Sequence, residues 1–135
     1  MKTIFGQKCV IYDNRNSKLL ILKRSNYKGD GGLWDMVGGS VDFGEDSKDS
    51  IIRETYEETK LKITNPKIID LHSRLLEENV FFIFGLYLWD GYQGEDIKLS
   101  SEHVDYKWIN LYELNEYPLR NSTKKVKDII INYFD

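Results

Sequence analysis

The stretch Gly38–Leu61, GGSVDFGEDSKDSIIRETYEETKL, decides how this sequence folds. From Asp46 to Lys60 it places Ile51, Ile52 and Tyr56 among charges at helical rather than alternating intervals, and Asp46 or Ser47 can cap the start. The glycine pair ahead of it suggests backbone bent around something. With Glu54 as origin and about 100° per residue, Glu57 falls roughly 60° to one side and Glu58 roughly 40° to the other. Three carboxylates thus share one narrow arc, and Ile52, Thr55, Tyr56 and Thr59 lie around the opposite side, which is expected to be buried. Like charges this close cost a few tenths of a kcal/mol per pair on a helix. Clustered carboxylate oxygens are what Mg²⁺, Mn²⁺ or Ca²⁺ bind. An isolated Glu-Glu pair would more simply be a solvated face, with Arg53 and Glu57 as an i,i+4 ion pair of little weight. Here the helix does not stand alone: Gly38, Gly39 and Glu45 precede it at spacings that matter.

Working outward, Thr3–Tyr12 and Lys18–Lys23 are aliphatic and β-branched, separated by turn chemistry at Asp13–Ser17, and read as a hairpin. Gly29-Asp30-Gly31-Gly32 and a short apolar piece, Leu33–Val37, lead into the glycine pair. Beyond the helix, Lys67–Leu76 and Val80–Trp89 are extended segments joined by Glu77-Glu78-Asn79, the second so apolar that it belongs in the middle of a sheet. A polar loop, Asp90–Ser101, precedes a strand ending Tyr106–Ile109, and Ser122–Phe134 carries Val126, Ile129, Ile130 and Tyr133 at helical spacing. Strands, helix, strands, helix predict an α/β (α+β) fold, a mixed sheet with helices on its faces. With 135 residues and no linker or repeat, one domain over residues 1–135 is expected.

Nineteen Lys and Arg against twenty-two Asp and Glu leave 19 − 22 = −3, a balance that disfavours long polyanions as partners. The one cysteine, Cys9, rules out an intramolecular disulfide framework and is read as a small apolar side chain of the first strand, in a reducing, cytoplasmic setting. No signal-like or membrane-spanning apolar run is present, so no membrane partner is expected.

Gly39, five residues, Glu45, seven residues, then Arg53-Glu54-Thr55-Tyr56-Glu57-Glu58-Thr59-Lys60-Leu61 resembles the signature of the Nudix hydrolase superfamily (MutT-like), G-x5-E-x7-R-E-U-x-E-E-x-G-U with U a bulky aliphatic residue. Six charged or glycine positions agree, a coincidence on the order of 10⁻⁷ per starting position. Arg24, Trp34 and Trp108 also match the family's usual layout. Thr55 stands for the usual aliphatic residue, its methyl expected to pack and its hydroxyl to bond back along the helix. Lys60 stands where a left-handed glycine cap is usual, so strain of about 1 kcal/mol is expected there.

The resemblance implies an α/β/α sandwich and hydrolysis of the pyrophosphate bond of a nucleoside triphosphate, or of a nucleoside diphosphate linked to another moiety. It implies Glu54, Glu57, Glu58 and the carbonyl of Gly38 as ligands of Mg²⁺, with Mn²⁺ as a substitute. Arg53 would orient the acids and Glu45 would tie loop to helix. Glu57 or Glu54 would be the base, with Glu102 as a loop-borne alternative that an ordinary exposed acid explains equally well. Arg24 is positioned for a phosphate, and His103 is the pocket neighbour among two otherwise ordinary histidines. Asn121 falls near a purine-reading position, although an N-cap of the last helix explains it at least as well. The expected partner is a small nucleotide, nucleic acid is disfavoured, and a homodimer is left open. The competing readings are a catalytically silent nucleotide-binding module on the same fold and an RNA 5′-end pyrophosphohydrolase.

Overall fold

The structure, a computed structural model, describes residues 1–26 and 29–135. Its elements are β1 (Lys2–Asp13), β2 (Lys18–Arg24), β3 (Trp34–Asp35), β4 (Val37–Ser40), α1 (Ser47–Thr59), β5 (Lys67–Glu77), β6 (Val80–Trp89), β7 (His103–Ile109), a 3₁₀ turn (Leu111–Asn115), α2 (Asn121–Lys124) and α3 (Lys127–Phe134). The expected mixed sheet is present, in the order β3-β2-β1-β6-β5, with β4 paired to β1 and β7 to β2. The long β1 holds it together. It runs parallel to β6 from Lys2↔Val80 to Ile11↔Trp89, takes β4 antiparallel at Gly6↔Ser40 to Cys9↔Val37, and turns into β2 at Tyr12↔Leu19. The apolar β6 lies between β1 and β5, as its composition predicts.

Alternation with period two divides the core between the two faces. Cys9, Ile11, Leu20, Leu22, Tyr87 and Trp89 pack with Ile51 of α1. Val10, Tyr12, Leu19, Ile21 and Leu86 pack with Ile130 of α3 on the other side. Helix α1 starts at Asp46, whose carboxylate accepts from Asp49 N at 3.1 Å, and its first turn is pinned to the sheet by Ser47, whose hydroxyl donates to Gln7 Oε1 at 2.6 Å. It ends at Lys60, left-handed at φ 66°, as expected of a residue standing in for a glycine cap. Thr55 is buried and its hydroxyl donates to Ile51 O at 2.7 Å.

Two expectations need correction. The segment Ser122–Phe134 is two helices, because the backbone tightens at Val126, whose N–H bonds Thr123 O three residues back at 3.1 Å. Thr123 is tied to Asp35 and Val126 is buried in the core, and the chain serves both anchors by breaking the helix between them. Asn121 is the first residue of α2, and Arg120 occupies the cap position without a side-chain cap bond, so capping does not explain Asn121.

Candidate active site

The site forms where β4 passes under α1. Gly38, at φ 145°, lies so close to β1 that a Cβ would collide with the carbonyl oxygen of Gln7, and a Cβ on Gly39 would come within 2.9 Å of Glu54 Oε1. The two glycines therefore let the strand lie flat on β1 and let an acid of α1 settle onto it. Glu58 is buried, and the Gly38 amide donates to its two carboxylate oxygens at 3.4 Å each. Burial pushes its pKa up to about 8, against the opposing charge of Lys8 and the Gly38 amide, with Glu54 and Glu102 adding to the rise. Glu54 is half-buried; burial raises its pKa too, Arg53 opposes this, and Glu57 and Glu102 reinforce it.

This corrects the helical-wheel expectation. The buried face of α1 includes Ser50, Ile51, Thr55, Glu58 and Thr59, so it overlaps the acidic arc instead of facing away from it, and Tyr56 is exposed. The sheet approaches α1 from the Glu58 side, which buries one acid, leaves Glu54 at the edge and turns Glu57 outward.

Arg53 organises the rest. Its Nε and Nη2 donate to the two oxygens of Glu45 at 2.7 and 3.0 Å, its Nη1 to Glu57 Oε1 at 2.6 Å, and its Nη2 stands 3.4 Å from Glu54 Oε1. A planar guanidinium suits this divided role. The Arg53 bonds hold the Glu45 carboxyl down at a pKa of about 2. Glu45 thus fastens the loop before α1 to the middle of the helix.

Opposite α1, the start of β7 brings up Glu102 and His103. One ligand atom each from Glu58, Glu102 and His103 lie within 4.8 Å of one another. His103 is buried, neither ring nitrogen has a hydrogen-bond partner among the described residues, and burial beside Arg24 pushes its pKa down to about 4. Arg24, across the β2–β7 pairing from His103, donates to Asp30 Oδ2 at 3.2 Å. An imidazole with unpartnered nitrogens and a buried carboxylate with only long amide contacts form a donor group able to hold a divalent cation. The other two helix acids, Glu54 and Glu57, stand on α1 outside that three-residue group, and Gly38 lies on β4.

From this acidic end a cleft of about 570 Å³ runs across β1 and β6 toward α2, bordered by Lys8, Gly39, Phe82, Phe84, Arg120 and Asn121. Its floor holds a charge network that sequence reasoning missed. Asp35 is fully buried, accepts from Lys8 Nζ at 2.7 Å and Arg120 Nη1 at 3.4 Å, and takes the Thr123 hydroxyl on its other oxygen. Arg120 also reaches Asp30 Oδ2 at 3.1 Å, the oxygen that Arg24 uses. A signal existed: Gln7-Lys8 interrupts the apolar β1, and Asp35 sits between Trp34 and Met36.

The NUDIX domain family matches residues 5–128. The chain is 26% identical over 105 residues to the CTP pyrophosphohydrolase of Escherichia coli (strain K12), covering 78% of this chain and 76% of that one. It is 32% identical over 108 residues to the asymmetrical bis(5′-nucleosyl)-tetraphosphatase of Mus musculus, covering 75% of this chain and 69% of that one. Among solved structures, the MutT protein from Methanosarcina mazei Go1 matches with a TM-score of 0.81 over 99% of this chain and 96% of that one, at 26% identity. With a family match spanning nearly the whole chain, an acid-lined helix on a glycine strand and a cleft beside it, the chain belongs to the NUDIX domain family, as a Nudix hydrolase.

Proposed function

We propose that the chain hydrolyses, with a divalent metal, the pyrophosphate bond of a nucleoside triphosphate or of a nucleoside diphosphate linked to another moiety. The observation that carries this reading is the convergence of Glu54 and Glu58 on the glycine strand at the mouth of a nucleotide-sized cleft. The two relatives, a CTP pyrophosphohydrolase and a bis(5′-nucleosyl)-tetraphosphatase, support the substrate class. Glu58, Glu57 and the Gly38 carbonyl would hold Mg²⁺ or Mn²⁺, with Glu102 and His103 across from them. The cation, when bound, supplies charge neutralisation at phosphate and acidifies water.

The residues do the rest. Glu54 accepts the proton of the attacking water: Glu57 is hydrogen-bonded to Arg53 at 2.6 Å, while Glu54 is half-buried and burial raises its pKa above the ordinary value. Arg53 keeps Glu54 and Glu57 in place. Phe82 and Phe84 offer an apolar wall and Asn121 a polar edge for a base, and Arg24, steadied by Asp30, meets a phosphate. The buried, free Cys9 supports a reducing, cytoplasmic setting.

The test is a screen of nucleoside triphosphates, dinucleoside polyphosphates and nucleotide-linked metabolites, with and without Mg²⁺, reading released phosphate or pyrophosphate. Hydrolysis that requires Mg²⁺, with kcat falling about 100-fold or more in Glu54→Gln, is expected. Tight nucleotide binding without turnover would instead mark a silent module.

A further inference from the structure

Strand β5 ends the sheet: its only backbone partner among the described residues is β6, so an eleven-residue strand presents one unpaired edge. Protected edges are short, charged or interrupted by proline. This one is eleven residues long and contains no proline, and between its charged Lys67, Asp70, Arg74 and Glu77 it exposes Ile68, Leu71, Leu75 and Leu76 at 47%, 61%, 68% and 44%. The pairing with β6 sets Leu71 and Leu75 on the face that also carries Phe81 and Ile83, both only half-buried. Bulges lie near both ends, and between them Asp70–Leu75 pairs regularly.

The order of charges on this strand, Lys67-Ile68-Ile69-Asp70-Leu71-His72-Ser73-Arg74-Leu75-Leu76-Glu77, is antisymmetric about His72. Laid antiparallel against itself with His72 on the axis, the strand sets Asp70 opposite Arg74 and Lys67 opposite Glu77, each pair occurring twice by symmetry. The β6 register sets Asp70 opposite Leu86, His72 opposite Phe84 and Arg74 opposite Phe82, so Asp70 and Arg74 share one face on either side of His72 and can meet directly across such a pairing. Leu71 then lies diagonal to the partner's Leu75 on the opposite face, within reach of a branched side chain.

We propose that a second copy of this chain docks on β5, the two strands pairing antiparallel about His72 to join two sheets into one. The interface is isologous, as a two-fold dimer requires. It brings Leu71 against the partner's Leu75 and satisfies the open backbone edge, and its ion pairs set the register.

Sedimentation velocity over a concentration series tests this on the whole chain. The native chain is expected to show a monomer–dimer equilibrium that weakens with added salt. Asp70→Arg alone and Arg74→Asp alone each place like charges opposite each other twice, and should raise the dissociation constant about tenfold or more. The double variant Asp70→Arg/Arg74→Asp restores opposite charges at both places and should recover the native constant, which loss of folding could not do. A chain that is monomeric at every soluble concentration, a dimer indifferent to the single swaps, or no recovery in the double variant would each overturn the proposal.

Discussion

Two buried carboxylates, Asp35 and Glu58, both feel Lys8, yet they are displaced in opposite directions. At Asp35, burial alone would raise the pKa, but Lys8 at 2.7 Å, Thr123 and Arg120 outweigh it and hold the acid below its ordinary value. At Glu58 the same lysine opposes burial from farther off, only long amide bonds help, and Glu54 and Glu102 add repulsion, so the pKa climbs to about 8. Degree of burial cannot explain this, since both side chains are almost wholly enclosed. What differs is the number of close donors. Asp35 is a finished structural joint between β3, β1 and α2. Glu58 lacks its counter-charge, and a cation is the partner whose chemistry completes it.

Removing one partner from each site should separate the two most sharply. Asp35→Asn leaves Lys8 buried without its counter-charge and should cost about 3–5 kcal/mol of stability, read by urea unfolding. Glu58→Gln removes a charge that has no close partner, so its unfolding free energy at pH 8 without metal should equal or exceed the native value. The same variant should lose hydrolysis about 100-fold or more. Equal destabilisation by the two substitutions would erase the contrast.

Cation binding comes next in size. Mg²⁺ at about 100 times its dissociation constant should stabilise the native chain by about 2.7 kcal/mol, seen as a rise in Tm of several degrees. Glu58→Gln should abolish most of that rise.

The metal-free pH profile offers a finer discrimination. A carboxyl whose folded pKa is raised contributes stability below its unfolded value near 4.5, and loses it as pH climbs through about 8. His103, lowered to about 4, runs the other way: between pH 4 and 6.5 the unfolded chain binds the extra proton, so stability grows with pH. The two oppose each other below pH 6.5. Above it His103 no longer opposes Glu58, so unfolding free energy should fall between pH 6.5 and 8, and Glu58→Gln should reduce that fall. Glu45, held at about 2, adds an acid limb that declines below 4.5 in native chain and variant alike.

Much of the cation end was legible because its logic is local. The cap at Asp46, the left-handed Lys60, the back-bonded Thr55 and the fork from Arg53 to Glu57 all join residues within one helix or its ends. Glu45 was legible through family spacing, and lies only eight residues from Arg53. The Asp35 end joins residues 27, 85 and 88 positions apart, and no periodicity encodes such meetings. Helical angles put three acids on one arc but carry no information on where the sheet will press, and that direction decided which acid is buried. His103 reads from sequence only as the pocket neighbour among two ordinary histidines, because its isolation from polar partners among the described residues is a property of the packed site.

The smallest expected effect serves as a control on the contrast. Lys60 pays left-handed backbone strain at the end of the same helix that carries Glu58, but its side chain is exposed and its ammonium lies over the Tyr56 ring, 4.9 Å from the centroid, away from the acids. Lys60→Gly removes the Cβ clash that disfavours φ 66° and forfeits some unfolded-state economy and the ring contact, leaving a gain of about 0.5 kcal/mol. Urea unfolding should show that gain uniformly from pH 6.5 to 8, with the Mg²⁺-induced rise in Tm unchanged. If the steadier helix end instead altered the alkaline fall or the response to Mg²⁺, the poise of Glu58 would depend on the mechanical freedom of α1 and not on its missing counter-charge.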